Sequence, residues 1–417
     1  MPPRLVSLLG LIVLIALAWV LSNNRRLFPW RTVLWGVALQ FIFALFILKT
    51  PLGQGIFSGA QNVVSQLNVF AGDGARMVFG ALADRPLMEK AFGAGNGVVF
   101  AILVTATIIL ISSLSTLLYH WGVLQRVVAA IAFVMQRAMK TSGSETLAGA
   151  SNIFLGQTEA ALLIKPYIAK MTRSEIMALM TTGMATIATG VMVVYAGLDG
   201  MNAGDILTAS VLSAPAGLLI AKTMYPETEP SETGERHHFT VEKRSVNSID
   251  ALCQGASEGV ALAINVLGML IAFVAVVSLL DALVVWPQQA LHIAAPVTLQ
   301  QFLGWINAPF AWLIGVPLKD CPLIGQILGE RVVLNEFIGY LSLSAEAKAG
   351  TLDPRSVKLA SYALCGFVNF SSIAIQIGGI GALAPERRGD LAQIGLRAMV
   401  GGLLACYLTA TVVGVLI

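Results

Sequence analysis

Two carboxylates stand in a chain that is 56% hydrophobic and only 12% charged. Glu159 ends the run Gly156-Gln157-Thr158-Glu159, and Glu336 sits in Asn335-Glu336-Phe337, each inside an apolar stretch. At membrane depth a carboxylate costs at least ~2.5–3.5 kcal/mol on insertion scales, so packing alone does not retain two of them. An ionised carboxylate only accepts hydrogen bonds, whereas amides such as Gln157 and Asn369 both donate and accept. Together they suit a neutral solute rich in hydroxyl or amide groups. An anion would call for a Lys/Arg cluster, and none accompanies them. The structural alternative is helix-end capping, or pairing with a cation such as Arg331 or Lys165. Asn152 and Thr186 form a second group, able with exposed backbone carbonyls to ligate a small hard cation such as Na⁺. Taken alone, each also reads as an interhelical hydrogen bond.

These groups need helices in lipid to position them. Soluble chains carry about 25% charged residues, twice the fraction here, so most of this surface faces hydrocarbon. Eight apolar runs, near 5–21, 33–49, 96–119, 174–197, 205–222, 259–286, 357–380 and 391–416, are long enough to cross ~30 Å at 1.5 Å per residue. The first run is followed by Ser22-Asn23-Asn24-Arg25-Arg26 without a small-residue cleavage pattern, and is expected to be a retained span.

If the first connection faces the cytoplasm, 16 of the 26 Lys and Arg fall on that side, among them Arg126, Arg137, Lys140, Arg236, Lys243, Arg244, Arg387 and Arg388. Both termini are then extracytoplasmic. A net charge of +3 with scattered basic residues excludes a nucleic-acid surface. Cys253, Cys321, Cys365 and Cys406 have no metal-like spacing, and His237 and His238 share a polar loop with no HExxH anywhere.

Two segments fit poorly as spans. In 145–171 the polar tip at 156–159 splits an apolar rhythm, and in 301–343 the stretch AWLIGVPLKDCP separates two short apolar runs. Both read as re-entrant hairpins, with Gly156 and Gly315 at their tips, tolerated only where buried in protein or lining a wet cavity. Each is followed by a span interrupted at Thr186–Gly190 or at Asn369–Ser372, then by another span. An odd number of crossings separates the copies, so they are inverted, which places a site near the midplane between broken helices. The expected fold is therefore an all-α integral membrane protein, with about eight transmembrane helices and two re-entrant hairpins in inverted repeats.

At these residues the chain resembles the concentrative nucleoside transporter family, in its short bacterial, sodium-coupled form. The matching pieces are NIFLGQTE (152–159) with KPY behind it, MATIATGV (184–191), NVLGMLIAF (265–273), GVP (315–317), VVLNEF (332–337) and GFVNFSSIAIQIGGIGAL (366–383). They cover the chain from about 96 to 417. The resemblance implies a sodium-driven symporter that imports nucleosides such as uridine, assembles as a homotrimer in the inner membrane, and moves an elevator-like hairpin domain. It implies that Gln157, Thr158 and Glu159 face the base, with Val191 as an apolar wall, Phe367 packing on the base and Leu262 adding a contact. Glu336, Asn369 and Ser372 would hold the ribose. Sodium would take the side chains of Asn152 and Thr186 and the carbonyls of Leu155 and Ile187. Some relatives are expected to carry Ser where Thr186 stands, and either supplies a hydroxyl.

The corresponding division is 1–95 for N-terminal spans and an interfacial segment, 96–140 for a scaffold span and connecting helix, 141–222 for the first repeat, 223–299 for a cytoplasmic loop and scaffold span, and 300–417 for the second repeat. No cofactor is implied beyond the coupling ion. The alternatives are a proton-coupled nucleoside symporter or, in another class, an intramembrane hydrolase or transferase using Glu159 and Glu336. An enzyme of that kind needs a nucleophile with its base or a metal cluster, and the sequence offers neither.

Overall fold

The computed structural model describes residues 2–93, 99–233, 245–293 and 296–417, and every regular element among them is a helix. The expected start of the third span, at 96, lies outside the described residues, as do Arg236, His237, His238, Lys243 and Arg244. Among the described residues, six helical stretches are long and apolar enough to cross a bilayer: Pro3–Val20, Trp30–Lys49, Ala101–His120, Arg173–Ala196, Ala203–Met224 and Pro385–Leu416. The other two expected spans take different forms. The run at 259–286 lies inside a 43-residue helix, Ser248–Ala290. The run at 357–380 is divided into Pro354–Leu364 and Phe370–Leu383.

Burial sorts the spans into an inner and an outer set. In Ala203–Met224, Arg173–Ala196 and Pro385–Leu416, 78–89% of the apolar window is covered by protein, against 28–33% in Pro3–Val20, Trp30–Lys49 and Ala101–His120. Helices that are apolar all round yet covered on one side present the remainder to lipid. Phe100–His120 packs along Ser248–Ala290 through two small residues one turn apart. A Cβ on Gly255 would lie 2.6 Å from the backbone of Ser112 and Ser113, and one on Gly259 2.8 Å from Ile109 Cα. Backbones that approach so closely gain the dispersion contacts that hold helices together where no hydrophobic effect operates.

The inner set carries the repeats. Ser142 and Glu145 form a capping box that starts Gly143–Ser151; the chain then turns through 152–158 and returns as Glu159–Leu163 and Lys165–Ile168. A second capping box, Thr172 with Glu175, starts Arg173–Ala185, which breaks at 186–188 and resumes as Thr189–Ala196 before the full span Ala203–Met224. The other copy runs Cys321–Val333, a break at 334–335, Glu336–Ala349, then Pro354–Leu364, a break at 365–369, Phe370–Leu383 and Arg388–Leu416.

One expectation is corrected. A turn does occur at Gly315, which closes Leu299–Ile314 with φ +101°. It lies beside Ser7 and Pro3, and its carbonyl accepts from Arg355 Nε at 3.0 Å, at the end of the molecule that holds Ile417. The break that answers to Gly156–Glu159 is Leu334-Asn335, which contains neither Gly nor Pro. Asn335 makes it as an N-cap: extended backbone, with the side chain accepting from Ile338 N at 3.0 Å. Leu299–Ile314 is thus an added arm laid on Cys321–Val333, and Gly315 is not the tip that carries Glu336.

Candidate functional site

The four breaks bring the polar residues together. Where Arg173–Ala185 ends, the carbonyl of Thr186 accepts from Phe367 N at 3.3 Å, so the broken span of one repeat is bonded to that of the other. Beside this crossing, Glu336 opens its helix and is only 5% exposed. Its Oε1 accepts from Tyr195 Oη at 2.8 Å and its Oε2 from Asn369 Nδ2 at 2.9 Å. Each oxygen keeps lone pairs for a further donor. Asn369 is itself an N-cap, its Oδ1 accepting from Ser372 N at 2.9 Å and from Ser371 Oγ at 2.6 Å. Its amide therefore has a fixed orientation, with the oxygen committed to the helix and the nitrogen to Glu336.

At the first hairpin the tip is built differently. Glu159 is exposed, and its Oε2 accepts from Thr158 Oγ1 at 3.2 Å. It folds back over Gly156, where a Cβ would lie 2.2 Å from Glu159 Oε2. Among the described residues neither Glu159 nor Glu336 has a basic side chain within 4.0 Å. Arg331 instead donates to Ala363 O and lies 5.5 Å from the Tyr407 ring centre, and among the described residues Lys165 pairs with neither carboxylate. Helix-end position does hold for both carboxylates, each being the first residue of its helix.

A cavity of about 140 Å³ opens beside Gly156 and Glu159, between Thr189 and Gly190, which resume the first broken span, and Glu258 and Leu262 of the long helix. Leu262 is among the residues lining it. Gln157, Val191, Glu336, Phe367, Asn369 and Ser372 do not line that cavity. Gln157 and Val191 are buried, at 7% and 6% exposure, and Phe367 is half-buried.

Of the residues expected to hold a cation, Asn152 and Thr186 each bond to Thr182. Asn152 is completely buried; its Nδ2 lies 3.4 Å from Thr182 Oγ1, while its Oδ1 has no donor. Thr186 Oγ1 gives its proton to Thr182 O at 3.0 Å, which leaves the oxygen's lone pairs free. Leu155 lies in the turn after Asn152, and Ile187 in the first break. A buried acceptor without a donor costs about 1–3 kcal/mol, a penalty that a small cation would lift. The donor set, an amide oxygen and a hydroxyl among backbone carbonyls, is the oxygen-rich kind that suits such an ion.

Sequence reasoning missed two partners. Tyr195, in the apolar run Val191–Ala196, supplies half of the clasp on Glu336 from the opposite repeat. Gln376 is completely buried in Phe370–Leu383, and its Nε2 donates to Gln157 Oε1 at 2.9 Å and to Met180 O at 3.1 Å. A lone glutamine in the middle of SSIAIQIGGI is itself a signal, because an amide in hydrocarbon requires a partner.

Comparison with known proteins bears on the family and the fold. Residues 205–414 match the family model described as Na+ dependent nucleoside transporter C-terminus, residues 9–82 the corresponding N-terminus model, and residues 101–201 a nucleoside recognition model. An uncharacterized transporter of Haemophilus influenzae is 40% identical over 99% of this chain and 98% of its own length. The nucleoside permease NupC of Helicobacter pylori is 36% identical over 99% and 98%. Sodium/nucleoside cotransporter 1 of Rattus norvegicus is 37% identical over the whole chain, which spans 64% of that longer protein. The solved structure of CNTnw in an inward-facing substrate-bound state overlaps with a TM-score of 0.91 at 36% identity, covering 99% of this chain and 97% of that one. These relatives are transporters, not enzymes, and at this identity and coverage the chain belongs to the concentrative nucleoside transporter family.

Proposed function

We propose that the protein imports nucleosides such as uridine together with Na⁺ across a bacterial inner membrane, as a symporter that works by alternating access. The observation that carries this reading is the clasp on Glu336, a buried carboxylate held from both repeats with acceptor capacity to spare. Ribose hydroxyls are the donors that fit it, and Asn369 and Ser372 complete that half. Gln157, Thr158 and Glu159 take the base, Val191 and Leu262 form apolar walls, and Phe367 packs on the ring. Asn152, Thr186 and the carbonyls of Leu155 and Ile187 take the ion, supported by the unpaired Asn152 Oδ1.

The energetics suffice with one ion. Na⁺ moving down ~100 mV releases ~2.3 kcal/mol, and a tenfold gradient adds ~1.4 kcal/mol. Together they support roughly several-hundredfold accumulation of a neutral solute. The bonded pair of breaks moves as a unit against Phe100–His120 and Ser248–Ala290. The exposed apolar side chains of the long helix, among them Ile264, Ile271, Leu279 and Trp286, suit a homotrimer contact. The cavity reaches Ser245 and Tyr119, at the end of the scaffold span that the Lys/Arg count assigns to the cytoplasm, consistent with an inward-facing state and extracytoplasmic termini.

Uridine uptake into proteoliposomes at clamped voltage tests the coupling. A Na⁺ gradient should drive uptake that collapsing the pH gradient leaves unchanged. Asn152→Ala should raise the Na⁺ concentration for half-maximal uptake roughly tenfold, the effect of losing ~1.4 kcal/mol of ion binding. Full uptake in Na⁺-free choline buffer, abolished by a protonophore, would establish proton coupling instead.

A further inference from the structure

The first hairpin's tip is held by the second repeat, and the contact carries chemical information. Gln376 Nε2 donates both to Met180 O and to Gln157 Oε1. A backbone carbonyl can only accept, so Met180 O decides which end of the Gln376 amide faces it. The reversed amide would set two oxygens against each other. With Gln376 Nε2 fixed, Gln157 must turn its own oxygen inward. Its Nε2 is then the end that remains for a ligand.

The surrounding backbone makes room for this arrangement. A Cβ on Gly183 would lie 2.8 Å from Gln376 Nε2 and 3.1 Å from Gln157 Cβ, so only glycine admits the pair without displacement. One turn along the helix from Gln376, a Cβ on Gly379 would lie 2.4 Å from Thr158 Cγ2. Phe370–Leu383 thus receives two successive residues of the tip. It seats Thr158 and orients Gln157.

We infer that Gln376 is a positioning residue that sets base specificity, by holding Gln157 so that it offers a hydrogen-bond donor to an acceptor edge of the nucleobase. The inference rests on the assignment of Gln157 to the base. A donor at this point favours bases that present a carbonyl oxygen over those that present an amino group, because a mismatched pair leaves buried polar groups unpaired. Uridine and cytidine differ in this way, as do inosine and adenosine.

The ratio of kcat/KM for uridine to that for cytidine, measured in proteoliposomes, reads this out, and the ratio for uridine to 3′-deoxyuridine serves as an internal control. The wild-type protein should favour uridine. Gln376→Met releases the Gln157 amide to turn either way, and should lower the uridine-to-cytidine ratio about tenfold while the 3′-deoxy ratio stays constant. Gln376→Glu is the second variant, independent of how well Met is tolerated. Its protonated carboxyl donates to Met180 O and becomes an acceptor toward Gln157, which then turns its oxygen to the ligand. The preference should invert toward cytidine. Gln157→Ala separates the two layers of the argument. If it leaves the ratio unchanged, Gln157 does not read the base, and both readings fall. If Gln157→Ala changes the ratio while neither Gln376 variant does, the base assignment stands and the positioning role is overturned.

Discussion

The two halves of the site solve one problem in opposite ways. In the second repeat both breaks end in an asparagine that caps the next helix, Asn335 and Asn369, and the carboxylate between them is buried and bonded from two sides. In the first repeat Thr158 and Ala188 stand at the N-cap positions after the breaks without a side-chain cap, and Glu159 stands exposed beside the cavity. A capped break is a preorganised one, because its orphan N–H groups are already satisfied. An uncapped break leaves its N–H donors to find acceptors elsewhere, as Thr189 N does at Phe154 O, 3.2 Å away. The unpaired oxygen of Asn152 lies at the same break. The difference teaches a division of labour. One half is finished by the protein, and on the function proposed above it would hold the ribose common to all nucleosides. The other keeps unsatisfied polar groups, which the proposed ion and base would complete.

Substitutions at the two carboxylates should therefore differ in size. Glu336→Gln replaces a charged acceptor with an amide that must place a donor against Tyr195 or Asn369. The loss of a charge-assisted bond, about 1.5–3 kcal/mol, predicts roughly a 10- to 150-fold fall in kcat/KM for uridine. Wild-type uptake at matched expression would remove Glu336 from the site. Tyr195→Phe deletes one arm of the clasp and leaves the carboxylate in place. Its expected effect is about fivefold, seen mainly as a raised KM, the consequence of ~1 kcal/mol for one hydrogen bond. Glu159→Gln, at an exposed position, should lower uridine uptake only about twofold to threefold, since solvent replaces much of what is lost. An effect as large as that of Glu336→Gln would contradict the asymmetry between the repeats.

Much of this was legible before any coordinates. Six of the eight apolar runs correspond to helices long enough to cross, because a bilayer imposes a length, and the recurrence of hairpin, broken span and span pointed to two copies of one unit. Glu159, Glu336, Asn152 and Asn369 were visible as polar groups where polarity is expensive. The second tip was misplaced because Gly315-Val316-Pro317 looks like a turn and is one, whereas Leu334-Asn335 breaks its helix through a cap that no Gly or Pro announces. Tyr195 and Gln376 escaped for a different reason. Periodicity shows which face of a helix is apolar, but not which helix from the other repeat lies against it, and both residues act across that boundary.

The bond between Phe367 N and Thr186 O has one more consequence. It joins the two repeats through main-chain atoms, so no change of side chain at either position severs it, short of a proline at 367. The ring of Phe367 can therefore be exchanged without breaking this joint, and the link between the two broken spans tolerates variation in the side chain that stands beside it.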